Sequence, residues 1–201
     1  NYDCQGCVIQ SSFTANPTPL NGTYMAGQTV TFCYTVSNYN QTSINWLHAI
    51  TPTFGAGWDM STLTTVPAAS CSGQGNWAWY NNLITSTATG LVTGPGFFFE
   101  SGLGSPFGVM DGNPGNNFGD NNPLNLCDWT FCWTISTKAS CPPGQQGEDL
   151  SIEVFNYGDS ETGNWDQSGC TTDPNYQFFA NLFCCDTFTL AINNVGCFGG
   201  T

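Results

Sequence analysis

Hydrophobic and polar residues alternate along much of the chain with the two-residue period of a half-buried β-strand. Residues 28–38 are the clearest case, because Val30, Phe32, Tyr34 and Val36 share one face and Thr and Cys residues fill the other. Further predicted strands are 8–14, 44–54, 77–85, 91–100, 127–136, 149–157, 176–183 and 187–192. One short helix over 176–184 is an alternative for that stretch. Glycine, proline and asparagine turns separate the strands, so the pattern predicts an all-β sandwich or jelly roll with little helix.

One heptapeptide occurs twice. Residues 31–37 (TFCYTVS) return as residues 130–136 (TFCWTIS), with five of seven positions identical and an offset of 99 residues. A duplicated sandwich with Ig-like halves 1–100 and 101–201 would explain the repeat, and so would two equivalent strands of one jelly roll. No linker-like run divides the chain near residue 100, so we expect one compact unit over 1–201.

Composition narrows the chemistry. The chain has 14 acidic residues against a single lysine, Lys138, and no arginine, which gives a net charge of −13. Charged residues make up 7% of the chain, against roughly 25% in an ordinary soluble domain. Such a chain lacks the cations needed to bind nucleic acid or to cradle phosphates, and an anionic membrane surface repels it. No apolar run approaches the length of a membrane span.

Cysteine is unusually abundant and indicates disulfides. The chain contains eleven cysteines: Cys4, Cys7, Cys33, Cys71, Cys127, Cys132, Cys141, Cys170, Cys184, Cys185 and Cys197. Only Cys4 and Cys7 have CxxC spacing, so zinc is disfavoured and an oxidising, extracellular environment is expected. An odd number leaves one thiol unpaired or bonded to another chain, and the pairing stays open. The chain begins at Asn1 without a signal peptide, as a processed secreted protein would.

An Asn- and Gly-rich loop is the candidate metal site. Residues 111–122 contain two aspartates and five asparagines, and their oxygen ligands suit calcium. The proposed ligands are Asp111, Asn113, Asn116 and Asp120. A loop of Asx turns whose side chains cap their own backbone is the alternative.

Sugar binding and sugar hydrolysis are the candidate activities. Trp58 follows Gly55, Ala56 and Gly57 in a predicted loop and is the candidate for stacking on a glycan, whereas Trp77 and Trp79 are expected in the core.

A jelly-roll glycosidase would need a pair of carboxylates. Glu153 lies within a predicted strand and is its candidate, with Glu100 ending another strand. His48 is expected to be a structural histidine rather than a catalytic base.

Several segments resemble surface-exported proteins of Bacteroidota. They are residues 31–36 (TFCYTV), 45–48 (NWLH), 52–59 (PTFGAGWD), 94–99 (GPGFFF) and 111–120 (DGNPGNNFGD). The family comprises adhesin-like and gliding-associated proteins carried by the type IX secretion system, and the likeness covers residues 28–160. It implies an extracellular, β-rich, adhesive or structural role and transfers no catalytic residue. Its long members carry a C-terminal sorting domain, which is not visible in this sequence.

The expected function is therefore that of a secreted structural protein. It would be the subunit of an extracellular filament or a cell-surface adhesin module, joined to further copies by disulfides or by strand addition. The N-terminal segment 1–14 is the candidate for subunit contacts. A carbohydrate-binding module is the first alternative, and a glycosidase is the second.

Overall fold

Nearly all regular structure in a computed structural model of the chain is β-strand. The structure describes residues 8–41, 46–140, 149–159 and 176–183. Within these ranges the strands are β1 (Val8–Asn16), β2 (Thr23–Met25), β3 (Thr29–Tyr39), β4 (Leu47–Phe54), β5 (Trp58–Val66), β6 (Gly75–Tyr80), β7 (Ile84–Thr85), β8 (Val92–Thr93), β9 (Gly96–Ser101), β10 (Trp129–Thr137), β11 (Ile152–Gly158), β12 (Tyr176–Phe178) and β13 (Asn181–Phe183). A short 3₁₀ turn over Pro114–Asn116 is the helical element of these ranges. The all-β prediction is confirmed.

Two antiparallel sheets pack face to face. The four-stranded sheet has the order β1-β3-β10-β5, and the five-stranded sheet has the order β12-β11-β4-β9-β6. Two small pairs, the parallel β13-β2 and the antiparallel β7-β8, accompany them. This arrangement is a β-sandwich in which β1 and β5 are the edges of one sheet and β12 and β6 are the edges of the other.

The sandwich interior is aromatic because every second residue of the central strands is large and apolar. Phe131 on β10 lies 4.8 Å from Trp77 on β6, centroid to centroid, and Trp133 packs edge-to-face on Phe54 of β4. Phe131 and Trp133 are fully buried. Burial of each such side chain contributes about 1.5 to 3 kcal/mol relative to exposure, so these contacts hold the two sheets together.

The repeated heptapeptide forms the centre of the four-stranded sheet. Its two copies lie in β3 and β10, which are antiparallel neighbours with Cys33 directly opposite Cys132. A disulfide joins these two cysteines. The pairing has a local two-fold symmetry about that bond: on the outer face, the hydroxyls of Thr31 and Thr134 are 2.8 Å apart on one side. Thr35 and Thr130 match them on the other side. The repeat therefore marks two neighbouring strands of one sheet.

The strands differ from the sequence prediction in several details, and β2 is one that the pattern does not predict. The pattern does not predict β5, because this Ser- and Thr-rich edge strand has a mostly exposed outer face and little hydrophobic alternation. The predicted strand 77–85 divides into β6 and β7, and 91–100 divides into β8 and β9. The predicted strand 176–183 is present as two short strands, and the alternative of a helix there is not what the structure shows. The predicted strand 187–192 lies outside the described residues.

A second disulfide joins Cys71 to Cys127 across 56 residues of sequence. Disulfide bonds of this kind fit an oxidising environment. The other cysteines, at positions 4, 7, 141, 170, 184, 185 and 197, lie outside the described residues.

None of the described segments forms a helix with the length and hydrophobicity to cross a membrane.

Removing the central disulfide should destabilise the sandwich. Because Cys33 and Cys132 are 99 residues apart in sequence, the double variant Cys33→Ser/Cys132→Ser frees a long loop in the unfolded chain. We expect the free energy of unfolding to fall by about 2 to 4 kcal/mol in urea denaturation. The control Thr31→Ser/Thr134→Ser alters the neighbouring pair without removing a cross-link. Equal stability of the two variants would contradict this role of the disulfide.

Candidate functional site

A groove opens at the side of the sandwich where β5 and β6 are both edge strands. Its volume is about 400 Å³, within the range of small-molecule sites. The lining combines apolar side chains with an amide and two hydroxyls: Met60, Leu63, Thr64, Thr65, Trp79, Asn81 and Pro95. No lining residue carries a charge. This uncharged concave surface is the candidate binding site.

Trp79 is held firmly at the groove. It lies opposite Phe97 in the β6–β9 pairing, and the two rings meet edge-to-face with centroids 5.0 Å apart. Its indole Nε1 donates a 2.8 Å hydrogen bond to Oδ1 of Asn81. Because the ring is half-buried and fixed at two points, it reaches the groove without losing further rotamer freedom on binding. Sequence reasoning placed Trp79 in the core. The two asparagines that follow Tyr80 were the local signal that the strand ends there and that Trp79 also borders solvent.

A buried carboxylate fixes the strand that carries Trp79. Asp120 is fully buried, and its two oxygens accept six hydrogen bonds from described residues. The donors are the indole nitrogens of Trp77 (2.9 Å) and Trp129 (2.8 Å), the backbone nitrogens of Cys71 and Ser72, and the hydroxyls of Ser70 and Ser72. Trp77 lies on β6 and Trp129 on β10, so this single side chain ties the two sheets together.

Gly119 brings the chain close enough for this arrangement. A Cβ atom at this position would lie 2.6 Å from the carbonyl oxygen of Leu47, which is too close for any other residue. The next residue, Asp120, donates its backbone N–H to that same carbonyl at 2.7 Å. Gly119 in turn donates its own N–H to the buried carboxylate of Asp159 at 2.6 Å.

The candidate calcium ligands fall into two environments. Asp111, Asn113 and Asn116 lie together in an Asx-turn loop: Asp111 Oδ1 accepts from the Asn113 N–H at 2.9 Å, and its Oδ2 is 3.4 Å from Asn116 Nδ2. Asp120 lies in the interior, where its hydrogen bonds leave no free lone pair for a metal. Among the described residues no three His, Cys, Asp or Glu side chains cluster as a metal site. Calcium at the exposed part of the loop stays a prediction.

The loop is fastened by an asparagine that sequence reasoning did not single out. Asn117 is 1% exposed. Its Oδ1 accepts from the Ser101 N–H at 3.0 Å, and its Nδ2 donates to the carbonyls of Asn113 and Val109. The loop is thereby fixed to the end of β9 by its own side chains.

Trp58 is not in a loop. It is the first residue of β5 and only 2% exposed, and its Nε1 donates to the carbonyl of Leu150 at 3.1 Å. Its ring packs edge-to-face on Phe32. The indole therefore presents no face to solvent, and the tryptophan that borders a groove is Trp79.

Glu153, the candidate carboxylate of a glycosidase, lies far from Glu100, the other glutamate among the described residues. Glu153 is opposite Thr53 in the β11–β4 pairing, whereas the β4–β9 register places Glu100 level with Leu47. Six residues along a strand span about 20 Å, and glycosidase pairs are roughly 5 to 10 Å apart. Glu100 is also buried, and it accepts a 2.6 Å hydrogen bond from the phenol of Tyr80. Burial and this hydrogen bond raise the pKa of Tyr80.

His48 is enclosed on the outer side of the five-stranded sheet. It has no exposed surface and packs edge-to-face on Phe98. Burial lowers its pKa to about 3, and hydrogen bonds with the backbone of Phe118 and Pro114 oppose that shift. The structural assignment of His48 thus matches its position, since a fully buried neutral imidazole does not meet a substrate.

Asp120→Asn should strongly destabilise the protein. The amide keeps one acceptor oxygen but replaces the other with an NH2 group, which would face three of the present donors and leave them buried without an acceptor. We expect a loss of about 3 to 5 kcal/mol in the free energy of unfolding. The control Asp128→Asn makes the same charge change at an exposed site and should lie within about 0.5 kcal/mol of the parent. A parent-like Asp120→Asn variant would contradict the role of Asp120.

Stability should fall as the pH drops below the ordinary pKa of histidine. Between 6.5 and about 3, the unfolded chain binds a proton on His48 that the folded chain does not. We expect the free energy of unfolding to be lower by about 2 kcal/mol at about pH 5 than at about pH 7.5. His48 is the single histidine, so urea denaturation of His48→Gln should show this difference removed. An unchanged pH dependence in that variant would refute the assignment.

Comparison with known proteins leaves the family open. No protein-family model matches this chain, and a search of curated proteins finds no match. The resemblance to proteins of the type IX secretion system therefore stays a prediction.

Proposed function

We propose that the chain is a secreted structural protein, the subunit of an extracellular filament or a module of a cell-surface adhesin. Copies would join through the edges of the four-stranded sheet. The observation that supports this proposal is the absence of charge along those edges: β1 carries no ionisable side chain, and β5 carries only Asp59. In a chain with a net charge of −13, the acidic residues lie elsewhere.

Uncharged edge strands are unusual, because a free edge is a template for pairing with another chain. Proteins that stay monomeric commonly protect such edges with lysine, proline or inward charges. Here β1 pairs with β3 on one side only, and β5 pairs with β10 on one side only, among the described residues. Near the end of β5, Val66 is 63% exposed. Both edges can therefore accept a strand.

Joining β1 of one copy to β5 of the next would continue the sheet from molecule to molecule. The two surfaces differ, so the contact is heterologous. A series of such contacts that does not close into a ring gives a fibre. Within one copy, β1 is already paired with β3 from Val8 to Asn16. It would contribute its other side without leaving its own sheet, which refines the expectation that the N-terminal segment 1–14 makes the subunit contacts.

Other features fit a load-bearing extracellular role. The Cys33–Cys132 disulfide crosses the centre of the sheet that would continue between copies, so tension along the sheet would meet a covalent bond. Export by a type IX pathway in a Bacteroidota organism is part of the proposal, and so is calcium at Asp111, Asn113 and Asn116. A disulfide between copies, formed by a cysteine outside the described residues, would add a covalent link.

Blocking both edges should prevent assembly. The variant Thr14→Lys/Val66→Lys adds one cation to each edge, on the exposed face of β1 and β5. Ala26→Lys/Ala88→Lys makes the same charge change in exposed turns and is the control. Assembly is measured by negative-stain microscopy and light scattering, with and without calcium. We expect filaments or oligomers for the parent and the control. The edge variant should need at least about tenfold more protein to assemble.

Dispersed monomers of the parent under all conditions would refute the proposal. Equal assembly of the edge variant and the parent would refute the β1-to-β5 contact. Non-reducing electrophoresis of the same samples would separate disulfide-linked assemblies from those held by strand pairing.

A further inference from the structure

We propose that the groove between β5 and β6 binds a neutral saccharide stacked on the indole of Trp79. The groove borders the β5 edge, so a strand added there would lie next to it, but binding by the groove does not require copies to assemble. It would give an adhesin module a defined ligand.

The groove has the size and composition of a small-molecule site. At about 400 Å³, it lies at the lower end of the range of such sites, where a mono- or disaccharide fits. Leu63 packs against the core from β5, and Trp79 does so from β6. Because five of the seven lining residues lie on β5 or β6 and only Asn81 and Pro95 lie in the connecting turns, most of the groove is formed before a ligand arrives.

Trp79 offers a rigid aromatic surface. Phe97, which is fully buried, packs edge-to-face against it, and Asn81 accepts its indole proton. A sugar ring presents a face of C–H groups, which packs against an indole, and a rim of hydroxyls, which needs hydrogen-bond partners. A fixed aromatic ring surrounded by polar side chains satisfies both needs.

The polar groups of the groove are available to a ligand. Asn81 uses its Oδ1 to accept from Trp79, which leaves the two N–H donors of its Nδ2. Thr64 and Thr65 add hydroxyls that both donate and accept. Among the described residues none of these three groups is committed to a hydrogen bond. They can therefore pair with the hydroxyls of a sugar.

The charge pattern selects a neutral ligand. No lining side chain is ionisable, so neither a cation nor an anion finds a partner in the groove. The net charge of −13 repels an anionic glycan at long range. An apolar peptide side chain would use Trp79, Met60 and Leu63 but would leave the three polar groups unpaired, which makes it the weaker occupant.

The test is binding of defined glycans to monomeric protein. An array of neutral and anionic glycans identifies the ligand, and titration calorimetry with that glycan measures its affinity. The single variant Thr14→Lys serves as the monomeric background, because it blocks the β1 edge and leaves β5 and the groove unchanged. Failure of assembly and failure of binding are thereby distinguished. We expect neutral glycans to bind and sialylated or sulfated glycans not to bind.

Two variants in the groove separate stacking from hydrogen bonding. Trp79→Ala removes the aromatic surface and should weaken binding at least about tenfold. Asn81→Asp keeps the acceptor for Trp79 but loses the amide donors, and should weaken binding about three- to tenfold. Phe179→Ala is the control, because Phe179 is 70% exposed and does not line the groove; its affinity should match the parent. Circular dichroism and thermal melting establish that each variant is folded.

Three results would overturn the proposal. They are the absence of neutral glycan binding at millimolar concentration, an unchanged affinity in folded Trp79→Ala, and binding of anionic glycans alone. Capture of an aromatic peptide with no affinity for any glycan would also overturn it, and would assign the groove to protein contacts. A neutral glycan that binds the parent but does not bind Trp79→Ala supports the proposal, whether or not filaments form.

Discussion

The hydrogen bonds to the buried carboxylate of Asp120 join both sheets and the loop before β6 through one side chain. A charge in the interior is costly unless donors surround it. Asp120 has two indoles, two backbone N–H groups and two hydroxyls as donors, and no cation. The Trp77 indole comes from one sheet and the Trp129 indole from the other. The positions of the two sheets are therefore linked through one side chain.

The two described disulfides reinforce the same region. Cys71 donates its backbone N–H to Asp120 and bonds covalently to Cys127, two residues before Trp129. Cys33–Cys132 then joins the next strand in the sheet. A chain with a single lysine has few ion pairs to draw upon, so its cohesion comes from aromatic packing, neutral donors around carboxylates, and covalent bonds.

The scarcity of charged residues also determines which groups lie on the surface. The outer face of the four-stranded sheet presents threonine and serine hydroxyls paired across strands, such as Thr31 with Thr134. The edges β1 and β5 are nearly free of charge, and the groove beside β5 has none. The same feature therefore underlies two separate proposals. Backbone edges free of charge suit strand addition between copies, and a neutral groove with one fixed indole suits a sugar. The proposed strand contact and the proposed sugar site both use side chains and strand edges that face solvent rather than the enclosed interior.

The sequence by itself determined the class of fold, because period-two alternation and turn residues are local properties. Residues 28–38 and 127–136 could be assigned as strands for this reason, and β5 could not, because an edge strand exposed on its outer face lacks the alternation. Tertiary structure decided the rest. It brought the two copies of the heptapeptide side by side, placed Trp58 in the core and Trp79 at a groove, and turned Asp120 from a calcium candidate into a hydrogen-bond acceptor. Each of these outcomes depends on which residues far apart in sequence become neighbours, and pairing between distant strands leaves no local pattern to read.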